Sequence, residues 1–554
     1  MLTRLAGGRI IDPARGIDGR VGDLYIRDSS IVEPPPDAPG AHTIDVAGRI
    51  VMAGAIDLHT HIGGGKVNLA RLLLPEDHRD NGYPRTELTR SSCGHAVPGT
   101  LAAGYAYAEM GYTACFEPAM LPINARQTHL EMGDTPIVDK GCYALLGNDD
   151  FFLRMLAGGE AQARINDYVG WILDCTQSIA IKVVNPGGIS AFKFNQRRLD
   201  LDEAHAHYRI TPRQVLHSLA RAVHELGVPH ALHVHGCNLG VPGNAETTLA
   251  TIAAAEGLPI HLTHIQFHSY GTEGDRKFSS AAARIAEAIN ANPNVSADVG
   301  QIMFGQTVTA SGDSMMQFRN AELGSPRKSV IMDIECDAGC GVVPFRYRDQ
   351  SFVNALQWAI GLEIFLSVRD PWRIFLTTDH PNGAPFSSYP HLIRLLTDRA
   401  FRNAMFQTID PDARAASTLG SLTREYSLYE IAIMTRAGPA RTLGLSDRGH
   451  LGAGAAADVV VYRDQADREQ MFAAPEYVFK DGQLVVRDGR LVAVPGGGRV
   501  HAVKPEYDRS IEAIVADYFE RYQTTSAAGF RIDPDELCEC GSGLLVHKCR
   551  GTSP

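Results

Sequence analysis

Cysteine is scarce, with ten in 554 residues. That is too few for a disulfide framework, and without an export leader a reducing cytoplasm is the expected compartment. The opening residues, MLTRLAGGRIIDP, lack the long apolar core of a secretory signal. No run approaches the roughly 18 apolar residues of a membrane span, so none is expected. Positive charge is not in excess either. The formal net charge is -11 and no Lys/Arg cluster stands out, which argues against a nucleic-acid partner. No Gly-x-Ser-x-Gly elbow follows a strand, which disfavours a serine nucleophile. No low-complexity linker divides the chain.

What is present is an ordinary globular balance, 44% apolar and 21% charged. One core rarely grows past about 300 residues, so a large catalytic domain with a smaller companion is expected. Residues 1–50 read as short strands and turns, too few to be stable alone. Their partner emerges late: Asp458-Val459-Val460-Val461-Tyr462, then two strand-like runs flanking Asp481-Gly482, a hairpin signal. The reading is one discontinuous β-sandwich domain from residues 1–50 and 436–500. A barrel occupies residues 51–435 between them, and residues 501–554 form a C-terminal extension for subunit contact.

In residues 51–400, short apolar segments alternate with helical stretches such as 212–226 and 279–289. The strand candidates are 54–61, 114–120, 142–147, 179–184, 231–235, 260–265, 295–301 and 373–378. Eight β-then-α units predict an α/β fold of the (β/α)8 TIM-like barrel type. The rival open sheet would carry a glycine-rich nucleotide turn after its first strand. Gly63-Gly64-Gly65 stands there, but its spacing does not match that fingerprint.

A barrel gathers the C-terminal ends of its strands at one mouth. Strand one ends in His59-Thr60-His61, whose two histidines at i and i+2 share a side of the strand. Strand four carries Lys182 inside an apolar run. Strand five ends with His233 and His235, strand six with His264 and strand eight with Asp379. Imidazoles and a carboxylate converging on one mouth suit a zinc site. Lys182 has two readings. It is either a cation binding an anionic substrate, or, carboxylated by carbon dioxide, an anionic bridge between two metals. Metal ions would polarise a carbonyl. Asp379 would then take a proton from the attacking water and give it to the departing amine.

These marks, with Thr378-Asp379-His380-Pro381 and the return segment at 440–459, resemble the amidohydrolase superfamily over about residues 1–495. Four longer segments carry a narrower likeness. They begin at His59-Thr60-His61-Ile62-Gly63-Gly64-Gly65-Lys66-Val67-Asn68, Ile181-Lys182-Val183-Val184-Asn185-Pro186-Gly187-Gly188, His233-Val234-His235-Gly236-Cys237-Asn238 and His264-Ile265-Gln266-Phe267-His268-Ser269-Tyr270. Together they resemble the A-type subunits of formylmethanofuran dehydrogenase and of its methylotroph relative, the formyltransferase/hydrolase complex.

The resemblance implies two Zn2+ ions and a formyl amide on methanofuran or an analogue. It puts His59 and His61 on the first ion, carboxylated Lys182 between the ions, His235 and His264 on the second, and Asp379 as ligand and base. It also implies partner subunits, among them a B/C-type subunit and a formyltransferase subunit. In methylotrophs the formyl group is hydrolysed to formate, while in methanogens formate is condensed with the carrier. The hydrolytic direction is the expectation.

Substrate contacts are expected from Lys66, Asn68, Asn185, His233, Asn238, Gln266, His268 and Tyr270, with Arg79, Arg85 and Arg90 available to a polyglutamate tail. Cys538, Cys540, His547 and Cys549 offer a further metal site or a subunit contact, and Cys336 with Cys340 a weaker one. Two rival readings remain: a cyclic amidohydrolase of dihydroorotase or hydantoinase type, and an inactive scaffold.

Overall fold

Eight short parallel strands form the centre: Ala55–Asp57, Tyr112–Met120, Asp139–Leu145, Ala180–Val184, Leu232–His235, Ile260–Leu262, Val295–Asp298 and Ile374–Phe375. They pair in sequence order. A parallel bridge from Thr60 to His380 joins first to last, where the His61 N–H donates to the His380 carbonyl at 2.7 Å. The sheet therefore curls into a TIM-like barrel. The coordinates are a computed structural model describing residues 2–36, 40–333, 339–533 and 536–537.

Each expected strand segment overlaps an observed strand, because burial on both faces makes these strands continuous apolar runs. The covering helices carry their own local signals. Pro212–Glu225 starts at Thr211 with a capping box to Gln214 and a proline in its first turn. Its buried face presents Val215, Leu216, Leu219 and Val223 to the barrel, the i, i+4 spacing of an amphipathic helix.

A separate small sheet is built from both chain ends. Arg49–Ala53 lies between Leu2–Asp12, which it meets in parallel, and Val459–Arg463, which it meets antiparallel. Leu5, Ile10, Val51, Val459, Val461 and Phe479 are among its buried core. The Asp481-Gly482 turn joins Tyr477–Lys480 to Gln483–Arg487 with φ of 47° and 77°, the positive values a two-residue hairpin turn demands. A Cβ on Gly482 would lie 1.7 Å from the Asp28 carbonyl oxygen, so only glycine fits. Beneath this sheet, Asp139 takes Arg448 at 2.7 Å and Lys480 at 3.1 Å, which ties it to the floor of the third barrel strand.

Two features were not anticipated. Between barrel strands seven and eight an insertion forms a three-stranded sheet, Gly305–Ser311, Val330–Met332 and Cys340–Tyr347, with the helix Ser314–Asn320. It packs onto the helix Gly65–Leu73 through Val308, Ala310 and Val342 against Val67 and Ala70. The described part of the tail, residues 501–533 and 536–537, also packs on the barrel. Val500–His501 pairs with Asp139–Leu145, and Trp171 packs against Phe519 and Phe530.

Cys336, Cys538, Cys540, His547 and Cys549 lie outside the described residues. Cys340 is buried in the inserted sheet. Among the described residues no helix is long and apolar enough to cross a membrane.

Candidate metal centre

At the C-terminal mouth a cavity of about 200 Å3 is lined by His61, Lys66, Lys182, His235, His264 and Asp379, and walled by apolar side chains such as Phe345, Tyr347 and Met316. His59 lies just beneath, its Nε2 2.8 Å from Asp379 Oδ1. His61 Nε2 is 3.3 Å from the same oxygen. The Asp379 N–H donates to Thr377 Oγ1 at 2.9 Å, and its Oδ1 accepts from Asn382 at 2.9 Å. His264 and Asp379 both take left-handed backbone conformations, φ 36° and 51°, as the chain turns off the strands. Strain of this kind clusters where side chains must be aimed.

The imidazoles are oriented from behind. Glu117, on strand two, accepts from His61 Nδ1 at 2.9 Å and from the N–H groups of Ile62, Gly63 and Ala119 at 2.9, 3.3 and 3.1 Å. Burial alone would raise this carboxyl, but His61, Lys66 and those N–H donors hold it down at about 2. Asp298, at the end of strand seven, accepts from the His264 N–H at 2.8 Å, lies 3.1 Å from His261 Nε2 and 3.4 Å from His59 Nδ1. His235 Nε2 is 3.4 Å from Asp313 of the insertion.

Burial pushes His264 well below its ordinary value, more than Asp379 can restore, and lowers His235 as well. Both are therefore neutral donors at pH 7. Burial opposes ionisation of Asp379, yet His59 and His264 keep it well below the usual carboxylate range. Burial, helped by Lys66, draws Lys182 down to about 8. An amine near neutrality is unusual for lysine and marks a reactive position.

This donor set fits a divalent cation. His264 Nδ1 is buried without a hydrogen-bond partner, an expensive state for polar nitrogen unless a ligand answers it, and the nearest acid to His235 Nε2 is Asp313, at 3.4 Å. Two groups of ligand atoms, each within 4.8 Å of one another, share His59: His59, His61 and Asp379, and His59, His233 and Asp298. The barrel holds a binuclear histidine/aspartate metal-binding site.

Of the expected substrate contacts, only Lys66 lines the cavity. His233 does not reach it. It is fully buried below, with Nε2 2.9 Å from His59 Nδ1 and Nδ1 2.9 Å from His230 Nε2. The i, i+2 rule puts it on the face of His235, but two residues down the strand also means a deeper layer of the barrel. Asn68 is taken by Glu131 and Arg71, Asn185 donates to Asp313, and Asn238 donates to Asp200 and Thr247. Gln266 is buried, and His268 is buried against the rings of His235 and His264. Tyr270 accepts from Gln357 at 2.9 Å. Arg79 pairs with Asp80 at 2.9 Å on the surface.

Glu117, Asp298, Asp313 and Asn382 were missed. The first two carried a legible signal, since each is a lone acid in a strand run, as Lys182 is a lone base. Asp313 and Asn382 carried none.

Residues 42–486 match the amidohydrolase family, and the chain belongs to it. It is an enzyme with the binuclear site of that class. The A-type Fhc subunit of the formyltransferase/hydrolase complex of Methylorubrum extorquens is 44% identical over 529 residues, 94% of each chain. Protein FwdA of Methanocaldococcus jannaschii is 38% identical over 553 residues, 96% of each chain. The crystal structure of the formyltransferase/hydrolase complex (FhcABCD) from Methylorubrum extorquens, in complex with methylofuran, contains a chain matching with TM-score 0.92 and 43% identity, over 98% of this chain and 99% of that one.

Proposed function

We propose that this chain hydrolyses the formyl amide of a formyl-methanofuran-type carrier to formate and the free amine, as the A-type subunit of a formyltransferase/hydrolase complex. Its partners would be the formyltransferase subunit that supplies the formyl group and B/C-type subunits. The observation that carries the reading is the convergence of His61, Lys182, His235, His264 and Asp379 on one cavity, in a chain 44% identical to an A-type Fhc subunit over 94% of its length.

In this reading the ions are zinc. His59, His61, His235, His264, N6-carboxylated Lys182 and Asp379 would hold them. Bound there, the ions would supply Lewis acidity toward the formyl oxygen and acidify water near neutral pH.

The remaining work falls to the chain. An imidazole has one lone pair to give, so His59 facing the cavity through Nε2 carries its proton on Nδ1. His233, Thr263 and Asp298 surround that Nδ1 at 2.9, 2.6 and 3.4 Å, which makes them orienting partners of His59. The Asp379 carboxylate, ionised in place, takes a proton from the attacking water and passes it to the amide nitrogen as the C–N bond breaks. The walls from Phe345, Tyr347 and Met316 shield the polar floor from bulk water, which strengthens each charge interaction there.

The test is formate release by the purified zinc-loaded complex. Formyl-carrier should yield formate and free amine in equal amounts, while hydantoin and dihydroorotate stay intact. Ring opening of either cyclic amide without formate release from the formyl carrier would contradict the reading.

A further inference from the structure

Lys66 lies in the first turn of the helix Gly65–Leu73 and is 5% exposed. Its Nζ is buried without a hydrogen-bond partner, in a side chain that lines the same cavity as His61, Lys182 and Asp379. An ammonium removed from water and left unpaired is strongly disfavoured. Ordinary structural lysines avoid this state by reaching solvent or a carboxylate. Lys66 does neither.

The carboxylates near it serve other donors. Both Glu117 oxygens are occupied, by His61 Nδ1 and by the Ile62 N–H, at 2.9 Å each. Asp379 Oδ1 serves His59 at 2.8 Å and Asn382 at 2.9 Å. Burial disfavours the charged amine and these two acids favour it, yet neither gives it a hydrogen bond. The result is a set of N–H donors preorganised beside the reacting centre and unanswered.

The proposed reaction produces a ligand for it. Cleaving a formyl amide breaks the C–N bond and forms a C–O bond with water. Both water protons finish on the nitrogen, which leaves as an ammonium, and the carbon leaves as a carboxylate. A one-carbon carboxylate is small enough for the cavity floor and offers only acceptor oxygens. Charge-assisted bonds from an ammonium are the strong kind available to it.

We propose that Lys66 is the docking cation for a small carboxylate in this cavity, the formate released by hydrolysis. The identity of that anion rests on the functional reading above, while the anion site itself does not.

The test uses the zinc-loaded complex, with sodium formate as the probe. Calorimetric titration should show formate binding to the wild type. Lys66→Met should weaken it by about tenfold or more, the loss expected for a hydrogen bond to a charged group, and Lys66→Arg should restore most of it. Metal content should stay at two ions per chain in all three proteins. Unchanged formate affinity in Lys66→Met would overturn the proposal. So would loss of metal in that variant, which would make Lys66 a counter-ion to a carboxylated Lys182 instead. Lys66-dependent formate binding in a complex that releases no formate from formyl-carrier would keep the anion site and sink the functional reading. Formate release with no Lys66-dependent binding would do the reverse.

Discussion

Nδ1 of His61 lies 2.9 Å from Glu117 Oε1, across the gap between the first two barrel strands. The other oxygen of Glu117 accepts from the backbone of Ile62 and Gly63, the residues that leave strand one. One carboxylate thus sets both the tautomer of a candidate ligand and the course of the loop after it. His59 is backed in a comparable way by Asp298, while Asp313 stands 3.4 Å from His235 Nε2. Each of these imidazoles has an acid beside it, drawn from a different part of the chain.

Glu117→Gln keeps the size but replaces one acceptor oxygen with an N–H2 group facing N–H donors. Partners of this kind typically change metal affinity by about 10–100-fold. We expect the variant to lose metal to a chelator at correspondingly lower concentration, with unchanged far-ultraviolet dichroism. Wild-type metal retention would show that His61 needs no such support.

Asp313 has two jobs that can be separated. It caps the helix Ser314–Asn320 by accepting from the Met316 N–H at 3.0 Å, and it stands 3.4 Å from His235 Nε2. Asp313→Ala should remove both, lowering stability by about 1 kcal/mol for the lost cap and weakening metal at the His235 side. Asp313→Asn should keep the cap and lose only the charge. Thermal melts and metal titrations on the two variants check this, and equal metal affinity in both variants and the wild type would refute the link from the insertion to His235.

Asp149 supplies a pH prediction away from the metal centre. It caps the helix Asp150–Ala157 through the Phe152 N–H and accepts from Tyr168, but burial still raises its carboxyl to about 6. A raised folded value means the folded chain keeps this proton after the unfolded chain, near pH ~4, has lost it. The contribution is full below about pH 4 and is lost as pH rises through about 6. Asp149→Asn, which also caps well, should therefore gain stability relative to the wild type across that window. Melting temperatures over the same pH range read the difference, and a constant offset would contradict it.

The barrel was legible because its strands are buried on both faces and end in chemically unusual residues. His59, His61, His235, His264 and Asp379 stood out as polar groups where apolar runs stop, and Lys182 as a lone base inside one. Depth was not legible. His233 and His235 share a strand face, but only the later residue reaches the mouth, because layers of the barrel are stacked along the strand. Asn68, Asn185 and Asn238 looked like substrate contacts from their place after strands, yet Asn68 is held by Glu131 and Arg71, Asn238 by Asp200 and Thr247, and Asn185 donates to Asp313 of the insertion. The inserted sheet left no sequence mark beyond a long gap between strands seven and eight. Its packing on the helix Gly65–Leu73 joins residues far apart in the chain, which no local periodicity encodes.

The proposed hydrolysis requires a pair of zinc ions at the barrel mouth, with Lys182 carboxylated. Diffraction from a crystal of the zinc-loaded complex, measured on both sides of the zinc absorption edge, would locate them. Two anomalous peaks per chain are expected, one beside His59 and His61 and one beside His235 and His264, with density for a carboxylate on Lys182 Nζ between them. A peak among His59, His233 and Asp298 in the barrel interior, or an unmodified Lys182 with no peak beside His61, would contradict this arrangement.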